Sequence, residues 1–347
     1  DRRHAVPPRD VGTALTMPTG SPWTRRVWLS LAVVFLVLSL FLCLALGSTS
    51  ISFGRVWDYL VGGAADDPAG VIFWQLRLPR VLLAFIVGAC LATAGTILQG
   101  LLLNPLTDPY VTGVSSGAAL GATIGIVVGL PAVPWLSLLA LLGGGLALLL
   151  VYALGRRRGH LNIYVLLLAG VTLSQLLSAV ISVLMVKAGE DLHALLYWIM
   201  GSFSARGWLE VEIALFALPL LAVPLFFARE LDILLQGEQR ALELGVDVER
   251  VKKILLVTAA ALTAVAVSVS GIIGFVGLVI PHLARLVVGP QHRKVLALSL
   301  VLGAAIMGLS DLAARVAVAP SELPVGIVTT FFGAPLFVYL LRSRRRL

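Results

Sequence analysis

Apolar runs of about 20 residues follow one another almost from end to end of this chain, and a run of that length matches the hydrocarbon thickness of a bilayer. They lie near residues 27–47, 80–103, 112–130, 134–155, 162–186, 208–228, 251–270, 272–290, 294–312 and 324–341, which predicts about ten crossings. Hydrophobic residues are 59% of the 347 and charged residues 13%, so little chain is left for a soluble catalytic domain. In hydrocarbon every backbone polar group must find its partner within the protein, and runs of this length do so as helices. The expected fold class is all-α, a polytopic membrane protein.

Charge placement supplies an orientation, because Lys and Arg are retained on the cytoplasmic side of short loops. With both termini inside, Arg25, Arg26, Arg156, Arg157, Arg158, Arg229, Arg240, Arg250, Lys252, Lys253, Arg293, Lys294, Arg342, Arg344, Arg345 and Arg346 are cytoplasmic. Only Arg55, Arg77, Arg80, Lys187, Arg206 and Arg315 lie outside. This bias accounts for the net charge of +8 without a nucleic-acid partner. Residues 1–26 read as a cytoplasmic N-terminal tail and 27–347 as one transmembrane domain. Arg25 and Arg26 before the apolar run, with Ala45-Leu46-Gly47 after it, resemble a signal peptide, but a run of about 20 residues spans a bilayer and is expected to stay as the first helix.

One long charge-dense segment, 229–253, interrupts the apolar pattern. Between Gly237-Glu238 and Leu244-Gly245, the apolar Ala241, Leu242 and Leu244 alternate with Gln239, Arg240 and Glu243. That pattern suits either a short partner-facing helix or an ordinary solvated loop.

The chain lacks the residues for a motor or a catalyst of its own. No Gly-x4-Gly-Lys-Ser/Thr loop is present, so nucleotide is not bound through a P-loop. His4, His160, His193, His282 and His292 are scattered, Cys43 and Cys90 sit inside apolar runs, and no metal-ligand spacing appears. Span centres hold almost no charged residue of the kind that ion-coupled carriers use as relays. Asp311 and Arg315, four apart, suit a local ion pair. An embedded enzyme has no constellation to work with, while a stand-alone secondary carrier or channel remains an alternative to a subunit driven from outside. Small residues such as Gly88, Ala92, Gly95, Gly117, Gly121 and Gly143 to Gly145 permit close helix approach. The proline-bounded breaks Asn104-Pro-Leu-Thr-Asp-Pro109 and Pro320-Ser-Glu-Leu-Pro324 end helices at or near membrane depth, where irregular backbone must be buried or line a path.

Taken in order, Arg77-Leu-Pro-Arg80, Gly95 and Gln99, Asn104-Pro-Leu106, Pro109, Gly113-Val-Ser-Ser-Gly-Ala118, Leu167-Leu-Ala-Gly170, Trp198-Ile-Met-Gly201, Gly237-Glu238, Leu244-Gly245, Gly271-Ile-Ile-Gly-Phe-Val-Gly-Leu-Val-Ile-Pro-His282 and Glu322-Leu-Pro324 through Gly333-Ala-Pro335 resemble the permease family of type II ABC importers for iron chelates, haem and vitamin B12. The resemblance runs from about residue 28 to the C-terminus. It implies a permease homodimer in the bacterial cytoplasmic membrane, two cytoplasmic ABC ATPase subunits that use ATP and Mg, and an extracytoplasmic substrate-binding protein. This chain would hold no cofactor or metal and no catalytic residue.

The same resemblance implies residue roles. The 229–253 segment would carry the coupling helix, with Gly237, Glu238, Ala241, Leu244 and Gly245 at the ATPase. Asn104 and Leu106, with Asn162, Ile163 and Tyr164 at the start of the fifth span, would form the cytoplasmic gate of a largely apolar path. Arg77, Arg80 and Arg315 would receive acidic residues of the binding protein. Ile163 and Tyr164 are bulkier than the small hydroxyl residues of the vitamin B12 member, which favours an iron chelate (siderophore or haem) over a corrinoid. An inverted repeat relating spans two to five with seven to ten is also expected.

Overall fold

The computed structural model describes residues 22–47, 49–62, 67–130, 134–157 and 160–344. Its elements in order are α1 (Pro22–Ala45), α2 (Phe53–Val61) and α3 (Pro68–Val71), then a π-helical stretch Ile72–Arg77 that runs directly into α4 (Leu78–Leu101). A short 3₁₀ turn, Pro109–Thr112, precedes α5 (Val114–Val127), followed by α6 (Trp135–Gly155). Arg156–Arg157 (β1) pairs antiparallel with His160–Leu161 (β2) ahead of α7 (Ile163–Lys187). Then come α8 (Leu192–Ile199), α9 (Trp208–Leu215), α10 (Leu218–Phe226), α11 (Ala228–Leu234), α12 (Glu238–Glu243), α13 (Val248–Ser270), α14 (Val276–Val288), α15 (His292–Val316) and α16 (Val325–Arg344).

Among the described residues, seven stretches are long and apolar enough to cross a membrane, and Val114–Val127, Val276–Val288 and Val325–Leu340 are shorter apolar helices. Together they match the ten expected spans, with three adjustments. The first helix begins at Pro22, five residues before its apolar span Val27–Ala45; proline suits a helix start because the amide it lacks would have no intrahelical partner. Residues 1–21 of the expected tail lie outside the described residues. The second span begins at Pro68, twelve residues earlier than its apolar run suggests. The sixth is broken into α9 and α10 at Phe216-Ala217, where Pro219 at the start of α10 cannot continue the hydrogen-bond ladder.

The centre of the bundle is α4, packed against α13, α14 and α15 and buried on nearly every side. This packing is backbone against backbone. A Cβ added at Gly95 would lie 1.8 Å from the Gly277 carbonyl oxygen, and one at Gly88 would lie 2.2 Å from that of Gly303. Small residues at these crossings substitute van der Waals contact for the hydrophobic drive that lipid removes.

Two irregular segments meet beside α4. Between α13 and α14 the chain unwinds, with Gly271 at φ +72° and Phe275 at φ +69°. Its exposed peptide groups are satisfied by the other break, since the Tyr110 hydroxyl donates to Ile273 O (2.5 Å) and accepts from Ile273 N (2.8 Å). Gln99, almost fully buried, donates through Nε2 to Thr107 O, Gly277 O and Leu278 O at 3.2–3.3 Å, while its Oε1 accepts from Arg285. The motif glutamine therefore ties α4 to both breaks.

Candidate functional site

Two polar clusters occupy opposite ends of this bundle. The first gathers where α11, α12, the β1–β2 pair and the start of α13 meet. Gly237 enters α12 at φ +105° and Gly245 leaves it at φ +80°, backbone conformations that glycine adopts without steric cost. The intervening helix has an inner and an outer side. Ala241 is fully buried, so its expected contact with a partner is corrected: it seats α12 on the chain's own core. Leu242 and Leu244 are the exposed apolar residues, at 61% and 63%. Glu238 is half exposed, with Oε1 2.6 Å from Lys252 Nζ on α13. One helix back, Asp232 Oδ1 accepts the backbone N–H of His292 at 2.8 Å and lies 2.8 Å from its Nδ1, anchoring α11 to α15.

The expected gate residues lie on adjoining elements. Asn104 and Leu106 are exposed on the turn after α4, where Asn104 Oδ1 accepts the Leu106 N–H at 2.9 Å and shapes the turn. Asn162 caps α7 by accepting the Val165 N–H at 3.2 Å, Ile163 is partly buried, and Tyr164 is 84% exposed. Leu101 and Leu102 at the end of α4 share a small gap with Leu161 and Ile163, so the two elements are neighbours. Beyond them α7 exposes Thr172, Gln175, Ser178 and Ser182. Their spacing of three, three and four puts them on one helix face. The exposed face of α7 is therefore mixed, with Leu168, Val171 and Val186 beside these four polar residues; their spacing was available in the sequence as a signal.

The second cluster surrounds a cavity of about 400 Å³ whose walls include Arg77, Arg80, Arg206, Arg315 and Glu322. The three expected arginines converge here, but each is already bonded within the chain, so they are not freely exposed contacts. A helix leaves its last four carbonyls without intrahelical partners, and two arginines take up three of those of α1. Arg77 Nη1 donates to Leu44 O (2.9 Å) and Ala45 O (3.1 Å), and its Nη2 donates to Thr49. Arg315 donates to Cys43 O (3.2 Å) and Leu46 O (3.4 Å), and its Nε lies 3.1 Å from Asp311, the expected local pair. Arg80 bridges Asp311 at 2.8 Å and Glu322 at 2.9 Å.

Arg206, which the sequence reading had only placed outside, completes the ring and pairs with Glu210 at 3.5 Å. Burial lowers the pKa of its guanidinium, and Glu210 opposes that shift. Asp311, Glu322 and Glu210 offset three of these four guanidinium groups, so the cluster carries one cation in excess, and Arg77 is the arginine whose bonds run to carbonyls and Thr49 and not to a carboxylate. Among the described residues no cluster of His, Cys, Asp and Glu suited to a metal is present.

Comparison with known proteins agrees with this architecture. The model of the FecCD transport family matches residues 35–343. The chain is 46% identical over 282 residues to the cobalamin import system permease protein of Halobacterium salinarum, covering 80% of this chain and 75% of that protein. It is 38% identical over 326 residues to the hemin transport system permease protein of Yersinia pestis, covering 92% and 96%. A solved inward-facing ABC transporter structure of metal-chelate type superposes with a TM-score of 0.81 at 34% identity, covering 92% of this chain and 99% of that one. With the family model matching residues 35–343 and relatives this similar over most of both chains, the chain belongs to the FecCD transport family as a multi-pass ABC importer permease.

Proposed function

We propose that this chain is the membrane subunit of an ATP-driven importer that moves an iron chelate, a siderophore complex or haem, inward from a substrate-binding protein. The observation that carries the reading is α12, which lifts Leu242 and Leu244 out of the surface on a base held by the buried Ala241 and the Glu238–Lys252 pair. A rigidly seated pair of exposed leucines beside charged residues suits docking into a cleft of another protein. That protein would be an ABC ATPase, two copies per permease homodimer, which binds ATP and Mg and performs the hydrolysis. This chain holds no cofactor and catalyses nothing.

The α12 end would face the cytoplasm, together with both termini, in a bacterial cytoplasmic membrane and its lipids. The arginine-walled cavity at the other end would receive an acidic side chain of the binding protein through Arg77, Arg80, Arg206 and Arg315, an arrangement that orients encounter more than it adds affinity. Asn104, Leu106, Asn162, Ile163 and Tyr164 would close the path on the cytoplasmic side.

A corrinoid is the second reading for the cargo. It is favoured by the 46% identity to a cobalamin import permease, whereas the bulk of Ile163 and Tyr164 supports an iron chelate. Uptake of ferric hydroxamate, ferric dicitrate, haemin and cobalamin by cells carrying the complete transporter separates them, and uptake of cobalamin alone overturns the iron reading. For docking, Leu244→Asp is expected to release the ATPase subunits from the purified complex; full retention with normal uptake overturns the assignment of α12.

A further inference from the structure

Lys252 lies on α13, one turn inside its N-terminus, with its side chain only 4% exposed. Its ammonium is 2.6 Å from Glu238 on α12 and 4.0 Å from Glu249 on its own helix. The other Glu249 oxygen accepts the backbone N–H of Leu161 at 2.9 Å. Leu161 pairs with Arg156 across the β1–β2 ladder and directly precedes Asn162, the residue that caps α7. Lys252 also borders the gap between the end of α4 and the start of α7, beside Leu102 and Ile163. A chain of contacts, two ion pairs and one hydrogen bond, therefore runs from α12 through α13 to Leu161, the residue before the α7 cap.

We infer that Lys252 is a positioning residue that transmits displacement of α12 to the start of α7. This rests on the reading of α12 as the ATPase contact and of Asn162 to Tyr164 as part of the gate. The physical reason lies in the asymmetry of burial. Both carboxylates are part-exposed, at 52% and 37%, and water can solvate either when it is released. The ammonium has little access to water, and an unpaired buried charge is strongly disfavoured. When α12 moves and draws Glu238 away, the ammonium must turn to Glu249, which is already at the edge of contact. Lysine suits this exchange because its charge sits on a long stem with three rotatable donors. As Glu249 closes on Lys252 its bond to Leu161 N–H is strained or released, and the cap residue of α7 is freed to shift.

The test uses the whole transporter, permease with its ATPase subunits, in lipid nanodiscs. Spin labels are attached at Leu168→Cys, an exposed position on α7 that leaves the Asn162 cap in place, in both copies, and the label–label distance is compared without nucleotide and with ATP, Mg²⁺ and vanadate. The inference expects a nucleotide-dependent distance change that is reduced several-fold in Lys252→Met and in Glu238→Gln, is no smaller in the double variant than in either single one, and returns in Lys252→Arg. A full distance change in either single variant overturns it, as does a double variant whose loss is the sum of the two. If Lys252→Met does not assemble, Glu238→Gln, at a half-exposed site, decides alone. Co-purification separates the two readings: ATPase subunits bound normally with an undiminished distance change in Lys252→Met refute only the role of Lys252, whereas ATPase subunits retained by Leu244→Asp refute the assignment of α12.

Discussion

Replacing Gly95 with alanine would put a methyl carbon 1.8 Å from the carbonyl oxygen of Gly277 and 2.6 Å from its carbonyl carbon. Carbon and oxygen come no closer than about 3.3 Å even in favourable Cα–H···O contacts, so α4 and α14 would have to part by about 1.5 Å. Neither side can relieve the clash by rotating a side chain, since both obstructing surfaces are backbone. Overpacking of this kind costs about 1–3 kcal/mol. One turn along α4, separation would also weaken the Gln99 bonds to Gly277 O and Leu278 O, adding about 1 kcal/mol for each bond lost. A loss of about 3 kcal/mol or more is expected. Gly145→Ala on α6 is the matched control, because nothing lies within 4 Å of its added Cβ, and alanine in a helix gains about 0.5–1 kcal/mol over glycine. Thermal unfolding in detergent, followed with a thiol-reactive dye on the buried Cys43 and Cys90, reads both. Gly95→Ala is expected to melt several degrees below the parent and Gly145→Ala at or above it; equal melting of the two would refute the backbone-contact account.

Arg80→Ala leaves Asp311, 1% exposed, without its closest cation and should cost about 3–5 kcal/mol in the same assay, with partial recovery in Arg80→Ala/Asp311→Asn; a loss under about 1 kcal/mol would mean that the pair is effectively solvated. Burial pushes the Asp108 carboxyl, in the turn between α4 and α5, up to about 6, against the opposing effect of the Tyr110 N–H bond. Between its unfolded value of about 3.9 and that folded value the native chain holds the extra proton, so stability falls as pH rises through this window, by about 3 kcal/mol in all. Asp108→Asn keeps an acceptor for Tyr110 N–H and should therefore stabilise most above pH 6, with the gain shrinking as pH falls toward 4; a gain that does not vary with pH would exclude desolvation as its cause.

The spans were legible because a length of about 20 apolar residues is a one-dimensional property. Prolines marked the breaks at 104–109 and 320–324 for the same local reason, whereas Pro219 in the sixth apolar run was passed over although it alters the backbone in the same way. Direction was harder to read. Ala241 looked like one apolar residue among three on α12, and only the packing against α13 shows that it faces inward while Leu242 and Leu244 face out. The arginines converge as their motifs suggested but are not free, since a motif cannot reveal that the carbonyls of Cys43, Leu44, Ala45 and Leu46 at and just after the end of α1 lie within reach of Arg77 and Arg315. Arg206 and the Lys252–Glu249–Leu161 chain depend on contacts between residues far apart in sequence and carry no local signature. The polar face of α7 was a different case, since Thr172, Gln175, Ser178 and Ser182 stand at helical spacing in plain view.

An importer must deform somewhere, and the joined breaks say where it cannot. Tyr110 holds both peptide groups of Ile273, and Gln99 reaches from α4 to each break, so neither interruption can open without dragging on the other. Broken helices are commonly regarded as hinges, yet here the two are welded into a keel. The flanks are less tied: the sixth span is interrupted between α9 and α10, and Tyr164 and Leu168 of α7 and Phe331 and Tyr339 of α16 lie largely uncovered. Two interruptions far apart in the sequence are, in the fold, one bonded unit.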